Sequence, residues 1–542
     1  MTRRACTTIL MAILLLCGVV VALVLYRCGI DPAAELIQKG RVDPILVKAA
    51  KGLSFYDIRL EFSPENKELS CFQQIDFVNQ DPVKLDRLCF HLYPNAFKDP
   101  NKPVFPREEM TRAYPNGFSP GSIEILSVKL AGRPAEYEIS GDSENILTVF
   151  LQKPLGQGER VALEMEYKVI LPNCLGRFGY GEKSFNIANW YPIACVYDDE
   201  GWNTDPYYPI GDPFYSDTAN YRVRIKAPRE YVIASTGNIV EVVNEGDKKI
   251  WSIEAVAVRD FAWVASDRFR VSSKQVGGTT VYSYYYDREP GLRALEYGAA
   301  ALGIFNELFG TYPYNQFSVV QTDFFIGGME YPNIVLIDKS LYAPGEDPWL
   351  EVVTVHETAH QWWYAMVGND EVDDAWLDEA LAEYSTVLYY RHRYGPEKEK
   401  EMLKELATEG KYYLLDDYLK IKSIDETIHR PVYDFADWIV YDFLVYGKGA
   451  MMFHELRNQV GEGMFYEILR AYFKENQFQN AVKEDLLRAC EKVTGEKWDA
   501  FFEDWLYDEK QAFGPDENPA LLFLCIFFGN LWNKKKKVIL EI

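Results

Sequence analysis

Two histidines and a glutamate near the middle of the chain have the types and spacing of a metal site. His356 and His360 stand four positions apart in the hexapeptide VHETAH, so both imidazoles leave the same face of a helix. Neutral imidazoles suit zinc, and Glu357 beside them can take a proton from water at the metal. The chain has only six histidines in 542 residues, so roughly 0.01 chance matches to this pattern are expected. We expect Asp347 to cap the helix, Pro348 to be its first residue and Gly368 to stop it.

Glu379 completes the predicted metal site. It lies in WLDEALAEY, nineteen positions after His360 with eighteen residues between them, on a second predicted helix that ends near Gly395. A short connection lets two helices pack antiparallel, which would bring Glu379 to the histidine pair. Two nitrogens and one carboxylate leave a fourth position for water, as in catalytic zinc sites. Glu383, one turn further on, is the alternative ligand, although a supporting or solvated carboxylate is the interpretation we prefer.

Two further segments offer groups that could bind a peptide. Gly327 and Gly328 follow a predicted strand, and their missing side chains let a peptide backbone approach closely. Glu330 then supplies a fixed negative charge that can pair with a protonated α-amine. Downstream, the phenol of Tyr446 can donate to an oxyanion on a scissile carbonyl. Taken singly, the first segment reads as a turn with a solvated glutamate and Tyr446 as a packing residue.

Four motifs follow one another in the chain, namely GGMEY, HETAH, WLDEALAEY and YGKGA, and in this order they resemble the aminopeptidase N-type gluzincins. HETAH, eighteen residues and then a glutamate match the zinc pattern of that family, GGMEY its glycine-rich Met-Glu motif, and YGKGA its Tyr-x-Lys-Gly-Ala motif. The similarity covers roughly residues 56–507. The resemblance implies one zinc per chain, held by His356, His360 and Glu379, with Glu357 as general base and Tyr446 stabilising the oxyanion. The implied substrates are peptides with a free N-terminus.

The resemblance also implies a substrate-binding group. Its members are Gly327, Gly328, Met329, Glu330 and Asn186. The family usually places a second amine-binding Glu or Gln in its β domain, before a Pro-Cys-x-Asp-like stretch, and aligning that stretch with ACVYD puts Asn186 at the position. Departures from the family pattern are small and remove no catalytic group. Asn, Gly and Asn are common where this chain has Asp378, Ala380 and Tyr331.

Two folded parts must position these residues. Residues 56–269 alternate apolar and polar with period two between turn signals, which predicts an all-β sandwich or saddle-shaped domain. From residue 270, strand-like segments flank a helical stretch and long helices follow. With the resemblance, this predicts an α+β, thermolysin-like zinc peptidase domain over residues 270–512.

The N-terminal residues predict a membrane anchor. Residues 7–26 contain no charge, and twenty residues at about 1.5 Å each cross a hydrocarbon core of roughly 30 Å. Arg3 and Arg4 precede the span, so we expect residues 1–6 in the cytoplasm and a single-pass protein with its catalytic domain on the extracytoplasmic side. A cleaved signal peptide is the alternative. Residues 27–55 would form a juxtamembrane stalk or short helix, and residues 513–542 a hydrophobic and then basic tail.

Composition narrows the possible partners. The net charge of −24 and pI near 4.8 argue against nucleic acid, because phosphate binding needs a basic face. Five cysteines outside the terminal segments lack disulfide or metal spacing and are expected to be buried free thiols: Cys71, Cys89, Cys174, Cys195 and Cys490.

The sequence therefore predicts a membrane-anchored zinc metallopeptidase that removes N-terminal amino acids from peptides. The first alternative is a thermolysin-like endopeptidase, which would share the zinc pattern but have no use for Glu330. The second is a catalytically inactive, membrane-bound peptide-binding protein, against which the complete set of functional positions argues.

Overall fold

A computed structural model describes residues 43–405 and 425–507. The predicted anchor at residues 7–26, the cytoplasmic residues 1–6 and the tail at 513–542 lie outside the described residues. Within the part that is described, no helix combines the length and the apolar character needed to cross a membrane.

Strands dominate the chain up to residue 266. They are β1 (Phe55–Ser63), β2 (Glu68–Val78), β3 (Leu85–His91), β4 (Ser122–Leu130), β5 (Arg133–Pro134), β6 (Tyr137–Ser140), β7 (Ile146–Leu155), β8 (Arg160–Ile170), β9 (Phe178–Tyr180), β10 (Phe185–Ile187), β11 (Ile193–Ala194), β12 (Tyr197–Asp198), β13 (Gly201–Trp202), β14 (Ala219–Pro228), β15 (Val232–Ser235), β16 (Asn238–Glu245), β17 (Lys248–Val258) and β18 (Trp263–Ser266). Two short helices, α1 (Pro44–Ala49) and α2 (Met110–Ala113), accompany them.

An eight-stranded sheet in the order β16-β17-β14-β1-β2-β8-β4-β5 forms the largest layer, beside four-stranded sheets β15-β18-β10-β9 and β11-β3-β7-β6. Strand β1 pairs in parallel with β14 and antiparallel with β2. The predicted period-two alternation appears as alternating burial along β1 and β8, since successive side chains point to opposite faces of a sheet. The prediction of an N-terminal all-β part is confirmed.

Residues 43–55, the described end of the predicted stalk or short helix, contain the short helix α1 and pack against the β-rich part. Asp43 caps helix α1 by accepting a hydrogen bond from the Ile45 N–H at 2.9 Å. The Leu46 side chain is buried, and the Asn220 amide donates to the Ala50 carbonyl at 3.0 Å. Strand β1 then starts at Phe55. This stretch therefore packs on the central sheet.

The second part of the chain combines a five-stranded sheet with helices. Its strands are β19 (Arg270–Val276), β20 (Thr279–Tyr285), β21 (Gln316–Thr322), β22 (Gly328–Met329) and β23 (Ile334–Asp338), with a small pair β24 (Val367–Gly368) and β25 (Gln479–Asn480). Its helices are α3 (Arg288–Leu308), α4 (Asp347–Ala359), α5 (Trp376–Tyr394), α6 (Pro396–Glu405), α7 (Trp438–Tyr441), a π-helical segment (Asp442–Lys448), α8 (Gly449–Val460), α9 (Glu462–Asn476), α10 (Lys483–Thr494) and α11 (Asp499–Leu506). The sheet order is β19-β20-β21-β23-β22, which confirms an α+β part after the β-rich one.

A buried arginine ties the two parts together. The Arg259 guanidinium, at the end of β17, donates to the carbonyls of Ser216 at 2.6 Å, Tyr364 at 2.7 Å and Gln479 at 3.2 Å. A Cβ at Gly368 would lie 2.1 Å from the Arg259 Cζ, so that glycine is required for the close approach. Hydrogen bonds to a charged, buried donor are strong, and they fix the loop that follows helix α4.

The five cysteines expected as buried free thiols are buried and unpaired with one another, and burial raises the pKa of the Cys71 and Cys195 thiols well above the usual value. They are part of the core and are not reactive groups.

Candidate active site

Helix α4 carries both histidines, but it begins and ends differently from the expectation. Asp347 is the first helical residue, and its carboxylate accepts from Tyr297 at 2.9 Å and pairs with Arg293 instead of capping the helix. The helix ends at Ala359, well before Gly368, and His360 is its C-terminal cap. Because His360 keeps right-handed helical dihedral angles, the four-residue spacing still places both imidazoles on one side.

The three predicted metal ligands converge. The Nε2 atoms of His356 and His360 lie 3.1 Å apart, and Glu379 Oε2 lies 3.3 Å from the first and 3.2 Å from the second. All three side chains are largely buried. Helices α4 and α5 pack against each other, as the short connection predicts, so that residues 19 positions apart present their donor atoms to one point.

The Nδ1 atoms of the two imidazole rings each have a partner of their own. Glu383 Oε2 lies 3.3 Å from His356 Nδ1, on the side of the ring away from Glu379. His360 Nδ1 lies 3.0 Å from the Trp363 carbonyl oxygen, and this carbonyl can only accept. Such partners fix the ring orientation and leave Nε2 free to bind a metal. Glu383 therefore takes the supporting position, which is the interpretation preferred from the sequence.

The electrostatics of these residues favour a divalent cation. Burial by itself lowers the pKa of each imidazole, but the neighbouring carboxylates outweigh it and raise the pKa of His356 and His360 to about 10. Burial likewise raises the pKa of Glu379, and the two imidazoles outweigh it and hold that pKa far below its usual value. The site thus stabilises positive charge strongly. A metal ion that replaces the two imidazole protons meets this demand, and the N₂O donor set fits zinc.

Two more carboxylates adjoin the ligands. One possible metal-ligand atom from each of Glu330, Glu357 and His360 lies within 4.8 Å of the other two, and both glutamates are buried. Burial, then the negative charge of Asp212, raises the pKa of Glu330 to about 7. Burial and the charge of Glu330 raise the pKa of Glu357 well above its usual value, and a base with a raised pKa is better suited to accept a proton near neutral pH.

The glycine-rich segment lies directly against Glu357. A Cβ at Gly328 would be 2.1 Å from Glu357 Oε1, which leaves no room for any side chain there. Gly327 has φ of 94°, a conformation that favours glycine. Met329 packs its side chain in an apolar cluster with Phe324 and Leu336, so only its backbone is available for the predicted substrate contact.

Tyr446 reaches the metal ligands from a π-helical turn. Its hydroxyl donates to Glu379 Oε1, and its ring centroid lies 5.8 Å from that of His356 at an interplanar angle of 23°. Single π-helical turns inside helices are often found at functional sites.

Gly449 lets this turn approach helix α5. A Cβ at Gly449 would lie 2.6 Å from the Ala380 Cβ, one residue after the metal ligand Glu379. Close contact with helix α5 therefore explains Gly449, the second glycine of the YGKGA motif. The same contact brings the Tyr446 phenol to the site.

Comparison with known proteins points to one family. Residues 293–505 match the Peptidase family M1 domain. Aminopeptidase M1 of Arabidopsis thaliana is 27% identical over 312 residues, which are 53% of this chain and 34% of that protein. Aminopeptidase N of Lactococcus lactis subsp. lactis is 29% identical over 201 residues, which are 34% of this chain and 22% of that protein. Over residues 293–505 the chain is similar to peptidase family M1.

Solved structures agree at the level of the fold. The crystal structure of an M1 zinc metallopeptidase from Deinococcus radiodurans has a TM-score of 0.57 and 17% sequence identity, and the match covers 86% of this chain and 95% of that one. The chain spans much less of the first curated relatives, 34% of the length of the Arabidopsis protein and 44% of Aminopeptidase M1-D of Oryza sativa subsp. japonica. The resemblance predicted from the four motifs is confirmed at the level of the family.

Asn186 is a predicted site residue whose polar atoms are all engaged by groups other than the metal ligands. Its amide donates both N–H groups to backbone carbonyls, those of Gly176 at 2.9 Å and Asp323 at 2.8 Å, and its oxygen accepts from Thr322. The amide is saturated and almost completely buried, so its assignment as an amine-binding residue is wrong. From strand β10 its amide instead binds neighbouring backbone carbonyls.

Asp378, which stands where Asn is common in the family, lies next to a metal ligand. Its Oδ1 accepts the backbone N–H of Glu379 at 2.8 Å. Burial and the charge of Glu379 raise the pKa of Asp378 well above its usual value. The raised pKa favours the protonated form, which has the hydrogen-bonding shape of the asparagine amide that is common at this position in the family.

Two residues near the site escaped the sequence reasoning. Asp212, on the loop between β13 and β14, has a carboxylate oxygen that forms a group within 4.8 Å with oxygens of Glu330 and Glu379. Arg177 pairs with Asp212, with 2.5 Å between Nη1 and Oδ1. Both come from irregular segments of the β-rich part. No local spacing marks them, because only the packing of the two parts brings them to the metal ligands.

Proposed function

We propose that this chain is a zinc-dependent aminopeptidase that removes the N-terminal residue of peptides. The observation that carries the proposal is the position of Glu330, a buried carboxylate that shares one cluster with the candidate base Glu357 and the metal ligand His360. An anionic group at this place gives a free α-ammonium a binding site one residue away from the hydrolytic centre. An endopeptidase has no need of such a group.

His356, His360 and Glu379 would hold one zinc ion. Bound there, zinc supplies Lewis-acid polarisation of a carbonyl and lowers the pKa of water. Glu330 binds and orients the substrate amine, which sets the distance of the first peptide bond from the ligands. Gly328 keeps the surface next to Glu357 free of side chains, so a peptide backbone can lie beside the base.

Glu357 moves the protons in this proposal. It takes a proton from the attacking water and passes it to the leaving amine. The Glu357 Oε2 atom is buried without a hydrogen-bond partner among the described residues, which suits a base that waits for water or substrate. The Tyr446 hydroxyl, now on Glu379, would exchange that partner for the developing oxyanion.

Relatives and neighbours support this reaction class. The relatives cited above are named aminopeptidases, and one structure of the Deinococcus radiodurans M1 zinc metallopeptidase, a mutant, is described as bound to a Tyr-Ser-Ala substrate. The metal ligands, base and amine anchor of this chain are those that such a reaction requires.

The decisive experiment compares reporter peptides with free and N-acetylated termini, each with and without a chelator. We expect cleavage of free-amine peptides that chelation abolishes and added zinc restores. Glu330→Ala should lower kcat/KM on these substrates by roughly 10²–10³-fold, since a buried charge-assisted pair contributes about 2–4 kcal/mol. Glu182→Ala, at a glutamate whose side chain is 70% exposed, is the matched control. Equal cleavage of acetylated and free peptides would favour an endopeptidase, and full activity without metal would refute zinc catalysis.

We also propose that residues 7–26 anchor the protein in a membrane with its catalytic part on the extracytoplasmic side. The support is the uncharged twenty-residue run after Arg3 and Arg4. Protease added to intact cells or spheroplasts should release a soluble, active fragment. Protection for as long as the membrane stays sealed would contradict this orientation.

A further inference from the structure

A loop of the catalytic part leads from strand β21 to the residues beside the metal ligands. Strand β21 ends at Thr322 and β22 begins at Gly328. Residues 323–327 connect them and belong to none of the strands that the structure describes; they are named the entry loop below. Glu330 follows directly after β22. A loop keeps a fixed position only where its polar groups find partners on a rigid scaffold.

The first contact of the entry loop with the β-rich part is made at Asp323. Its Oδ2 accepts the backbone N–H of Ser184 at 3.0 Å and also that of Lys183, both in the turn between β9 and β10. The Lys339 ammonium donates to Oδ1, and the Asp323 side chain is 0% exposed. A Cβ at Gly181 would lie 2.4 Å from the Asp323 Cβ, so the turn requires glycine for this close approach.

The backbone of the entry loop is also bound by side chains of the β-rich part. Asn186 on strand β10 donates to the Asp323 carbonyl at 2.8 Å. Arg112 on helix α2 donates from Nη2 to the Phe325 carbonyl at 2.6 Å, and its guanidinium lies 5.6 Å from the centroid of the Phe325 ring. The Phe105 ring meets the Phe325 ring edge-on, with 5.0 Å between centroids. Two carbonyls of the loop are therefore held from outside the catalytic part.

The far end of the loop reaches the site within a few residues. Gly328 lies against the carboxylate of Glu357, and Glu330 stands five positions after Phe325. A shift of the loop at Phe325 has little chain in which to be absorbed before it displaces Glu330. A displacement of about 1 Å in a group that positions the substrate costs roughly 10²-fold in rate.

We propose that Asp323 and Arg112 are positioning residues through which the β-rich part sets the location of Glu330. The inference rests on the proposed aminopeptidase function, in which Glu330 binds the substrate amine. Asp323 and Arg112 act through the entry loop and do not touch the substrate. Asn186, by holding the Asp323 carbonyl, belongs to the same set of contacts. The two parts of the chain thus share the task of placing the substrate amine.

The test compares variants of the zinc-loaded, full-length enzyme on a free-amine alanyl reporter. Asp323→Asn should lower kcat/KM by about 10–100-fold, because the charge that binds Lys339 is lost and the loop can move. Arg112→Ala should lower it by about 3–10-fold, since its charge-assisted bond lies on a side chain that is 56% exposed. Arg112→Lys keeps a cationic donor and should recover most of that loss. Arg107→Ala, at an exposed arginine of the same segment, is the matched control and should change little.

Two further measurements separate positioning of Glu330 from a general structural role. Arg112→Ala should weaken inhibition by leucine hydroxamate by about the same factor as kcat/KM and leave its des-amino analogue unchanged, because that analogue has no amine for Glu330. In a double-mutant cycle, Arg112→Ala added to Glu330→Ala should change kcat/KM by less than about twofold, since the group it positions is already gone.

Equal weakening of both hydroxamates, or a full effect of Arg112→Ala in the Glu330→Ala background, would overturn the inference. So would wild-type kinetics for Arg112→Ala, which also decides the question if Asp323→Asn does not fold. The cycle contains the wild type and Glu330→Ala, so a failure of the proposed aminopeptidase function would be visible in those two enzymes alone. Failure of the positioning inference leaves both of them as expected.

Discussion

A single methyl group placed at Gly328 should disable the site without unfolding the protein. In Gly328→Ala the new Cβ would lie 2.1 Å from Glu357 Oε1 and 2.5 Å from its Cδ. Backbone strain does not confuse the result, because Gly328 lies outside the positive φ range that disfavours other residues. The perturbation therefore acts on the position of one carboxylate.

The structure sets the size of the effect. Cβ contacts shorter than 3.0 Å essentially do not occur, so the Glu357 carboxylate must retreat by about 1 Å. A misplacement of about 1 Å in a reacting group costs roughly 10²-fold in rate, or about 2.7 kcal/mol in the barrier. We expect the loss to appear in kcat, because Glu357 acts on water and contributes little to binding of the peptide.

The assay measures kcat, KM, zinc content and melting temperature on a free-amine reporter. Gly327→Ala is the matched control, because a Cβ there meets nothing within 4 Å but the residue has φ of 94°. It should cost about 1 kcal/mol of stability through backbone strain and leave kcat within a few-fold. Gly328→Ala with wild-type kcat, or a loss of zinc that accounts for its inactivity, would refute this account of the base.

Two further predictions concern single side chains. Tyr446→Phe should lower kcat by roughly 10²–10³-fold with KM nearly unchanged, because its bond to the oxyanion exists mainly in the transition state; a change confined to KM would contradict that role. Burial lowers the pKa of His91 from 6.5 to about 3, so below pH 6.5 the unfolded state takes up a proton that the folded state refuses. The contribution of His91 to the free energy of unfolding should therefore fall by about 1.4 kcal/mol for each unit by which the pH is lowered between these two values. His91→Phe, which keeps a ring stacked on Tyr93, should flatten the pH dependence of the free energy of unfolding measured by urea denaturation. An unchanged pH dependence would disprove this account.

Local spacing was enough to predict the metal ligands. His356 and His360 are adjacent on any helix, and the short link to Glu379 restricts where the next helix can pack. The helix ends were less predictable. Asp347 was expected to cap α4, but Arg293 and Tyr297 bind its carboxylate, and tertiary partners of this kind leave no mark on the local sequence.

The contribution of the β-rich part could not be read from the sequence for a related reason. The choice of Asn186 depended on an alignment to a distant pattern, and strand β10 instead uses that amide for its own hydrogen bonds. Asp212 lies 118 positions before Glu330 in the chain, within a loop of no regular period. Only the packing of that loop on Tyr441 places its carboxylate at the site.

In the proposed function, the charges of the site favour binding of the metal and of the substrate amine together. Within the described residues the cluster contains the carboxylates of Asp212, Glu330, Glu357 and Glu379 and the guanidinium of Arg177, a formal charge of about −3 when the imidazoles are neutral. Burying this excess of negative charge is costly unless positive groups pair with it. Without such partners the carboxylates of the cluster must take up protons. One zinc ion and one α-ammonium supply three positive charges and balance it. An N-acetylated peptide would leave one buried negative charge unpaired, so we expect the same electrostatics that favour the metal to make the site reject substrates without a free amine.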